Sequence, residues 1–268
     1  MTTQWSGILL ATALAFYLLG AVASVYVFLS RRKEWIPVIP GLTIAGFLIH
    51  FAGIALRGME ERAFPANDLR EILFLLAWAA ISVYLFAHFR LRIEIMGLLI
   101  LPLVVALMLA TLLIPRQPQA SGPAAGLESA VRMLHIVPAI LGISALFLTF
   151  AASIIYLVQE HALKSHRPVP FFARLPSLEK CERLGHQSLT WGFSLLSFVV
   201  LTGVISAGYG AREEEWSVIL REKWSLLAWL IFAVVMYDRI FSGGWRGRKA
   251  AYLSILGFGV MILRMIGV

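Results

Sequence analysis

Apolar runs of about 20 residues recur along the whole chain, each long enough to cross the hydrocarbon core of a bilayer as a helix. Eight are read, at about 6–29, 36–56, 70–89, 95–114, 130–158, 187–208, 223–240 and 250–267. None alternates apolar and polar residues as a membrane barrel strand does, so the spans are expected to be helices. The polar breaks between them are too short for an extramembrane domain, which predicts one integral membrane domain over residues 1–268. The fold class is therefore all-α, a polytopic membrane helix bundle with about eight transmembrane helices. The first run is longer than a signal-peptide core and no small-residue cleavage site follows it, so it is expected to be retained.

Composition removes the soluble readings. The chain is 60% hydrophobic and 14% charged, where a soluble domain is roughly 25% charged. A net charge of +8 suggests nucleic acid in a soluble protein. Here no nucleic-acid motif is visible, and the basic residues follow the positive-inside bias. The loops after spans one, three, five and seven hold 14 Lys and Arg residues, against 9 on the other side. The first set is expected in the cytoplasm, with both termini and the 209–222 loop outside. The single cysteine, Cys181, excludes an intramolecular disulfide and a CxxC redox pair. No Ser-His-Asp, HExxH or P-loop signature occurs. Charged residues inside spans are few and no paired half-helix breaks are seen, which ranks a transporter last.

The polar residues within spans are the candidates for chemistry. His50 lies in the outer half of span two, about seven residues from its outer end, beside Gly41, Gly46 and Gly53. Those small residues let another helix approach closely. His135 sits near the outer start of span five, ahead of Pro138, read as a kink or a first-turn proline. An ionisable side chain inside the membrane is either functional or hydrogen-bonded across two helices, and both readings stand for each histidine. His88, His161, His166 and His186 lie at inner span ends, where solvated histidines beside basic residues need no function. Glu213, Glu214 and Glu215 form a solvated charge run. Ser177 after Pro176 is placed to cap a helix leading into span six. Residues 115–128, rich in Pro, Gly, Ala and Ser, are expected to form a flexible outer connection.

Aromatic residues gather at span ends, among them Trp191, Trp216, Trp224, Trp245 and Tyr237, where amphipathic rings favour the headgroup level. Trp216-Ser217, Glu222, Trp224-Ser225-Leu226 and Trp229 also follow the spacing of a tryptophan-rich outer loop, roughly W-G-x-x-W-x-W-D-P-K-E-x-W-x-L-x-x-W. Val218, Ile219 and Leu220 stand where that pattern has Trp, Asp and Pro. The basic turn Gly244-Trp245-Arg246-Gly247-Arg248-Lys249, the run Asp68-Leu69-Arg70-Glu71-Ile72-Leu73-Phe74 and the Leu157–Glu160 ending of span five complete the likeness. On these residues the chain resembles the cytochrome c assembly family, the haem-handling membrane proteins that include CcsA, ResC and CcmC. Within it the turn at 244–251 is most similar to the HemX/YpjD-like branch.

The resemblance implies a haem-handling protein of a bacterial cytoplasmic membrane. It would hold haem b in the outer half of the bundle, between His135 and His50, rather than catalyse a covalent step. Trp216 and Trp224 would line an outer haem groove, or else anchor the loop to the interface. Tyr237 stands where the family often carries an inner histidine; it is read as a haem-binding candidate or as an interfacial belt residue. Two imidazoles clamping one iron need their ligand atoms only about 4 Å apart, and close helix contact through Gly46 and Gly53 is expected to allow that. The implied partners are lipid, haem and a second cytochrome c assembly or haem biosynthesis protein, with no nucleic acid. The alternative is a haem-free membrane scaffold or regulatory subunit that keeps the family fold.

Overall fold

The computed structural model describes residues 3–30, 32–61, 64–66, 68–91, 96–115, 127–164, 176–209, 223–242 and 247–266. Those residues form eight long helices and, among them, no strand. We number them α1 (Thr3–Ser30), α2 (Val38–Glu61), α3 (Leu69–Leu91), α4 (Met96–Leu113), α5 (Leu127–Lys164), α6 (Leu178–Tyr209), α7 (Lys223–Tyr237) and α8 (Arg248–Ile266). Seven, α1 to α7, are long and apolar enough to cross a membrane when α7 is carried through to Phe241. The protein is thus a polytopic membrane protein. Residues 116–126, 165–175 and 210–222 lie outside the described residues. So do most of the expected flexible connection, His166, the glutamate run, Trp216 and, at a further position, Trp245.

The chain divides into two compact units, residues 1–140 and 141–268. In the first, α1 runs against α2, α2 against α3, α3 against α4, and α4 returns to α1. The ring closes on fully buried side chains that include Tyr17, Ile81, Tyr84, Ile100 and Leu101. Outward-facing positions such as Leu19, Val22 and Leu48 stay exposed, the pattern of a bundle whose solvent is hydrocarbon. The glycines of α2 serve the α1 contact. A Cβ on Gly46 would lie 2.8 Å from Cε1 of Tyr17, and one on Gly53 would lie 3.1 Å from Cδ2 of Leu10. The face expected to receive a helix carrying a second histidine is taken by α1.

The helix ends differ from the sequence reading for physical reasons. Arg57, Glu60 and Glu61 look like the start of a loop, yet α2 continues to Glu61. Arg57 Nε and Nη2 donate to Glu71 Oε1 at 2.9 and 2.8 Å, and Ser6 Oγ donates to Glu60 Oε2 at 3.1 Å. Pairing lets Arg57 and Glu60 stay on the helix. Asp68 caps α3, its Oδ1 accepting from the Glu71 backbone N–H at 2.7 Å, so Asp68 and Glu71 occupy the outer positions of a capping box. Pro138 lies well inside α5 rather than in its first turn.

In the second unit the later part of α5 packs with α6, α7 and α8 around Leu146, Leu189, Phe232, Val235 and Phe258. Thr149 and Ser188 share a buried hydroxyl pair at 2.9 Å between α5 and α6. Trp229 Nε1 donates to Ser197 Oγ at 2.9 Å, and its ring stacks on Phe193. Ser177 caps α6 as expected, accepting from the Lys180 N–H at 3.4 Å. The chain enters α8 through Gly247 at φ 70°, a left-handed conformation that other residues rarely adopt. A Cβ there would also run into the Tyr156 hydroxyl.

Candidate functional site

His50 falls near the middle of α2. Because the helix extends to Glu61, the histidine lies about 16 Å from that end at 1.5 Å per residue, deeper than a span ending at 56 implies. Its side chain is wholly enclosed. Nδ1 lies 3.4 Å from the Tyr17 hydroxyl on α1, a hydrogen bond at the long end of the range. The Tyr17 and Phe74 rings meet the imidazole edge-on at centroid distances of 5.9 and 6.2 Å. Nε2 is buried and has no hydrogen-bond partner among the described residues.

An aromatic seam continues from there along α2 and α3. Trp78, one turn after Phe74, stacks on Phe47 at 5.1 Å and 14°, and meets Phe51 at 5.8 Å. Trp78 Nε1 is a second buried polar atom without a hydrogen-bond partner among the described residues. Toward the ion pair, a cavity of about 10 Å³ is lined by Leu10, Ile54, Arg57, Glu71 and Phe74, among others.

The other sequence candidates lie on other helices. His135 is half-buried in α5, about 12 Å from the start of the helix at Leu127, and none of the hydrogen bonds or ring contacts of His50 is with it. Trp224 opens α7, half-buried against the core of the second unit. Tyr237 ends α7 on an exposed face and packs on Phe241 at 5.0 Å. His88 contacts the Tyr84 and Phe89 rings, and His161 and His186 are exposed. Sequence reading passed over Tyr17 and Trp78, and took Phe74 only as part of the likeness at 68–74. A tyrosine in the middle of an apolar run is itself a polar group in hydrocarbon, and that signal singles out Tyr17.

If Nδ1–H donates to Tyr17 Oη, the neutral imidazole leaves Nε2 with a lone pair, the donor that a haem iron takes. The space does not match: the imidazole is fully enclosed, and the cavity beside Phe74, far smaller than a porphyrin, is not lined by His50.

Residues 66–268 match the sequence profile of the family described as Cytochrome C assembly protein. The chain belongs to the cytochrome c assembly family. It is similar to the cytochrome c biogenesis protein CcsA of Guillardia theta, 27% identical over 85% of this chain and 81% of that one. The CcsA of Microcystis aeruginosa is 28% identical over 87% and 86% of the two chains. The CcsA of Trieres chinensis is 31% identical over 84% and 80%. The family match begins at Ala66, so it includes His135, Trp224 and Tyr237 and leaves out α1 and α2. His135 thus lies inside the matched segment and His50 before it.

Proposed function

We propose that this chain acts in cytochrome c biogenesis as a haem-handling membrane protein that holds haem b for delivery to an assembly partner or in support of haem biosynthesis. Family membership over residues 66–268 and the similarity to CcsA proteins support the process. The observation that carries haem holding is the enclosed His50 imidazole, with Nδ1 engaged by Tyr17 and Nε2 unpartnered. His50 and His135 would be ligands. Trp216, Trp224 and Tyr237 would add aromatic contacts. Haem supplies the iron centre that a cytochrome carries. The chain's own part is to bind it, orient it and keep water from it.

The proposed setting is the bacterial cytoplasmic membrane, with all 268 residues acting as one integral domain and both termini outside, as the basic asymmetry suggests. The second reading, a haem-free scaffold, draws on the closed packing around His50 and on Val218, Ile219 and Leu220 in the tryptophan-rich loop. An optical spectrum of detergent-purified protein from haem-replete cells separates the two. A Soret band with sharp reduced α and β bands supports haem b. A featureless visible spectrum supports the scaffold.

A further inference from the structure

A cleft of about 90 Å³ lies in the second unit, between the last turns of α5 and the first turn of α8. Its walls are Leu157, Glu160, His161, Lys164, Arg248 and Tyr252. Glu160 is already engaged, accepting from Lys164 Nζ at 2.6 Å. Arg248 is held differently. Its Nη2 donates to Tyr252 Oη at 3.2 Å, and the guanidinium lies over the Tyr252 ring at 5.5 Å. It makes no ion pair with a carboxylate among the described residues. Stacking fixes the plane of a fork that has five N–H donors, of which one is used. A positioned guanidinium beside an ammonium, in a space larger than one water needs, matches a phosphate group.

We propose that this cleft binds the phosphate of an anionic phospholipid. The surface below it favours a lipid over a free phosphate. Tyr252 and Leu256, one turn apart on α8, are 51% and 55% exposed, and Ile154 on α5, one turn before Leu157, is 36% exposed. The polar cleft thus continues into an apolar face along which acyl chains can lie. Arg248 and Lys164 also belong to the basic side of the chain, where anionic headgroups and basic pockets between helices attract each other.

The test uses the full-length protein in a neutral detergent, with binding read by native mass spectrometry and by intrinsic tryptophan fluorescence during heating. The probes are phosphatidylglycerol, phosphatidylcholine and inorganic phosphate. Phosphatidylglycerol is expected to stay bound and to raise the unfolding temperature, with phosphatidylcholine doing neither. Arg248→Gln should weaken phosphatidylglycerol binding about fivefold or more. Arg248→Lys should fall between, since it keeps charge and loses the fork. Lys249→Gln, on an exposed neighbour outside the cleft, should bind as the natural chain does. Equal retention of both lipids, or unchanged binding in Arg248→Gln, would overturn the site. Displacement of phosphatidylglycerol by millimolar inorganic phosphate would overturn the lipid and leave a free-phosphate site.

Discussion

Tyr17 on α1 and His50 on α2 are both wholly buried, and the hydroxyl of the first lies 3.4 Å from Nδ1 of the second. No other hydrogen bond reaches the imidazole from a described residue. The tautomer thus follows the direction of this one contact. If Nδ1–H donates to Tyr17 Oη, Nε2 carries the lone pair; if the hydroxyl donates, Nε2 carries the proton. Only the first arrangement leaves a ligand atom.

Tyr17→Phe keeps the ring and removes the hydroxyl. Interhelical hydrogen bonds in membranes average about 0.6 kcal/mol and reach about 1.7, so thermal unfolding in detergent should show a loss in that range. For a haem-bearing protein the same change should broaden or shift the Soret band, because the ligand loses its orienting partner. A stability loss with an untouched spectrum would make Tyr17 a packing residue only.

Gly46 shows how closely α1 and α2 are fitted. An added methyl meets the Tyr17 ring at 2.8 Å, whereas one on Gly41 meets nothing within 4 Å. Gly46→Ala should therefore cost about 1–3 kcal/mol as overpacking. Gly41→Ala, in the same helix, should be neutral or stabilising by about 0.5–1 kcal/mol through reduced backbone entropy. Chemical denaturation of both variants in one detergent checks the contrast. Equal effects would show that α1 and α2 separate easily at Gly46.

The helices were legible because each is a largely apolar run, seven of them long and apolar enough to cross a bilayer among the described residues, and His50 was legible because an ionisable group interrupts such a run. What the sequence could not display is who meets whom. Gly46 and Gly53 announce a close helix contact without saying that the partner is α1. Arg57 read as loop because its partner, Glu71, lies across a turn and is met only once α2 and α3 have packed. Tyr17 read as one more aromatic because its partner is 33 positions away.

The Arg57–Glu71 pair itself gives a prediction. Both residues are buried, at 9% and 2% exposure, and Arg57 Nε and Nη2 donate to the same carboxylate oxygen of Glu71. Removing one partner of a buried ion pair costs about 3–5 kcal/mol. Glu71→Ala and Arg57→Met should each lower the unfolding midpoint sharply. The double variant Arg57→Met with Glu71→Met should recover most of the loss, since replacing both charges by apolar groups is often neutral. Additive losses in the double variant would show that the pair is coupled to further groups rather than to each other.

The two histidines rest on different grounds and can be separated by one set of spectra. His135 lies in the segment that matches the family, half-buried in α5. His50 lies before that segment, and its claim is the unpartnered Nε2 inside a closed aromatic setting. If both ligate one iron, the natural chain should be low-spin, His135→Ala should lose most of its haem, and His50→Ala should turn high-spin as one strong-field imidazole is removed. Closed packing adds a second expectation. Phe74 packs edge-on against the imidazole, so Phe74→Ala should loosen that wall and speed haem loading while lowering stability by about 3–5 kcal/mol as a core truncation. If His50→Ala keeps an unchanged low-spin spectrum and Phe74→Ala loads no faster, His50 is an interhelical hydrogen-bond partner of Tyr17. The haem would then have to be sought around His135 alone.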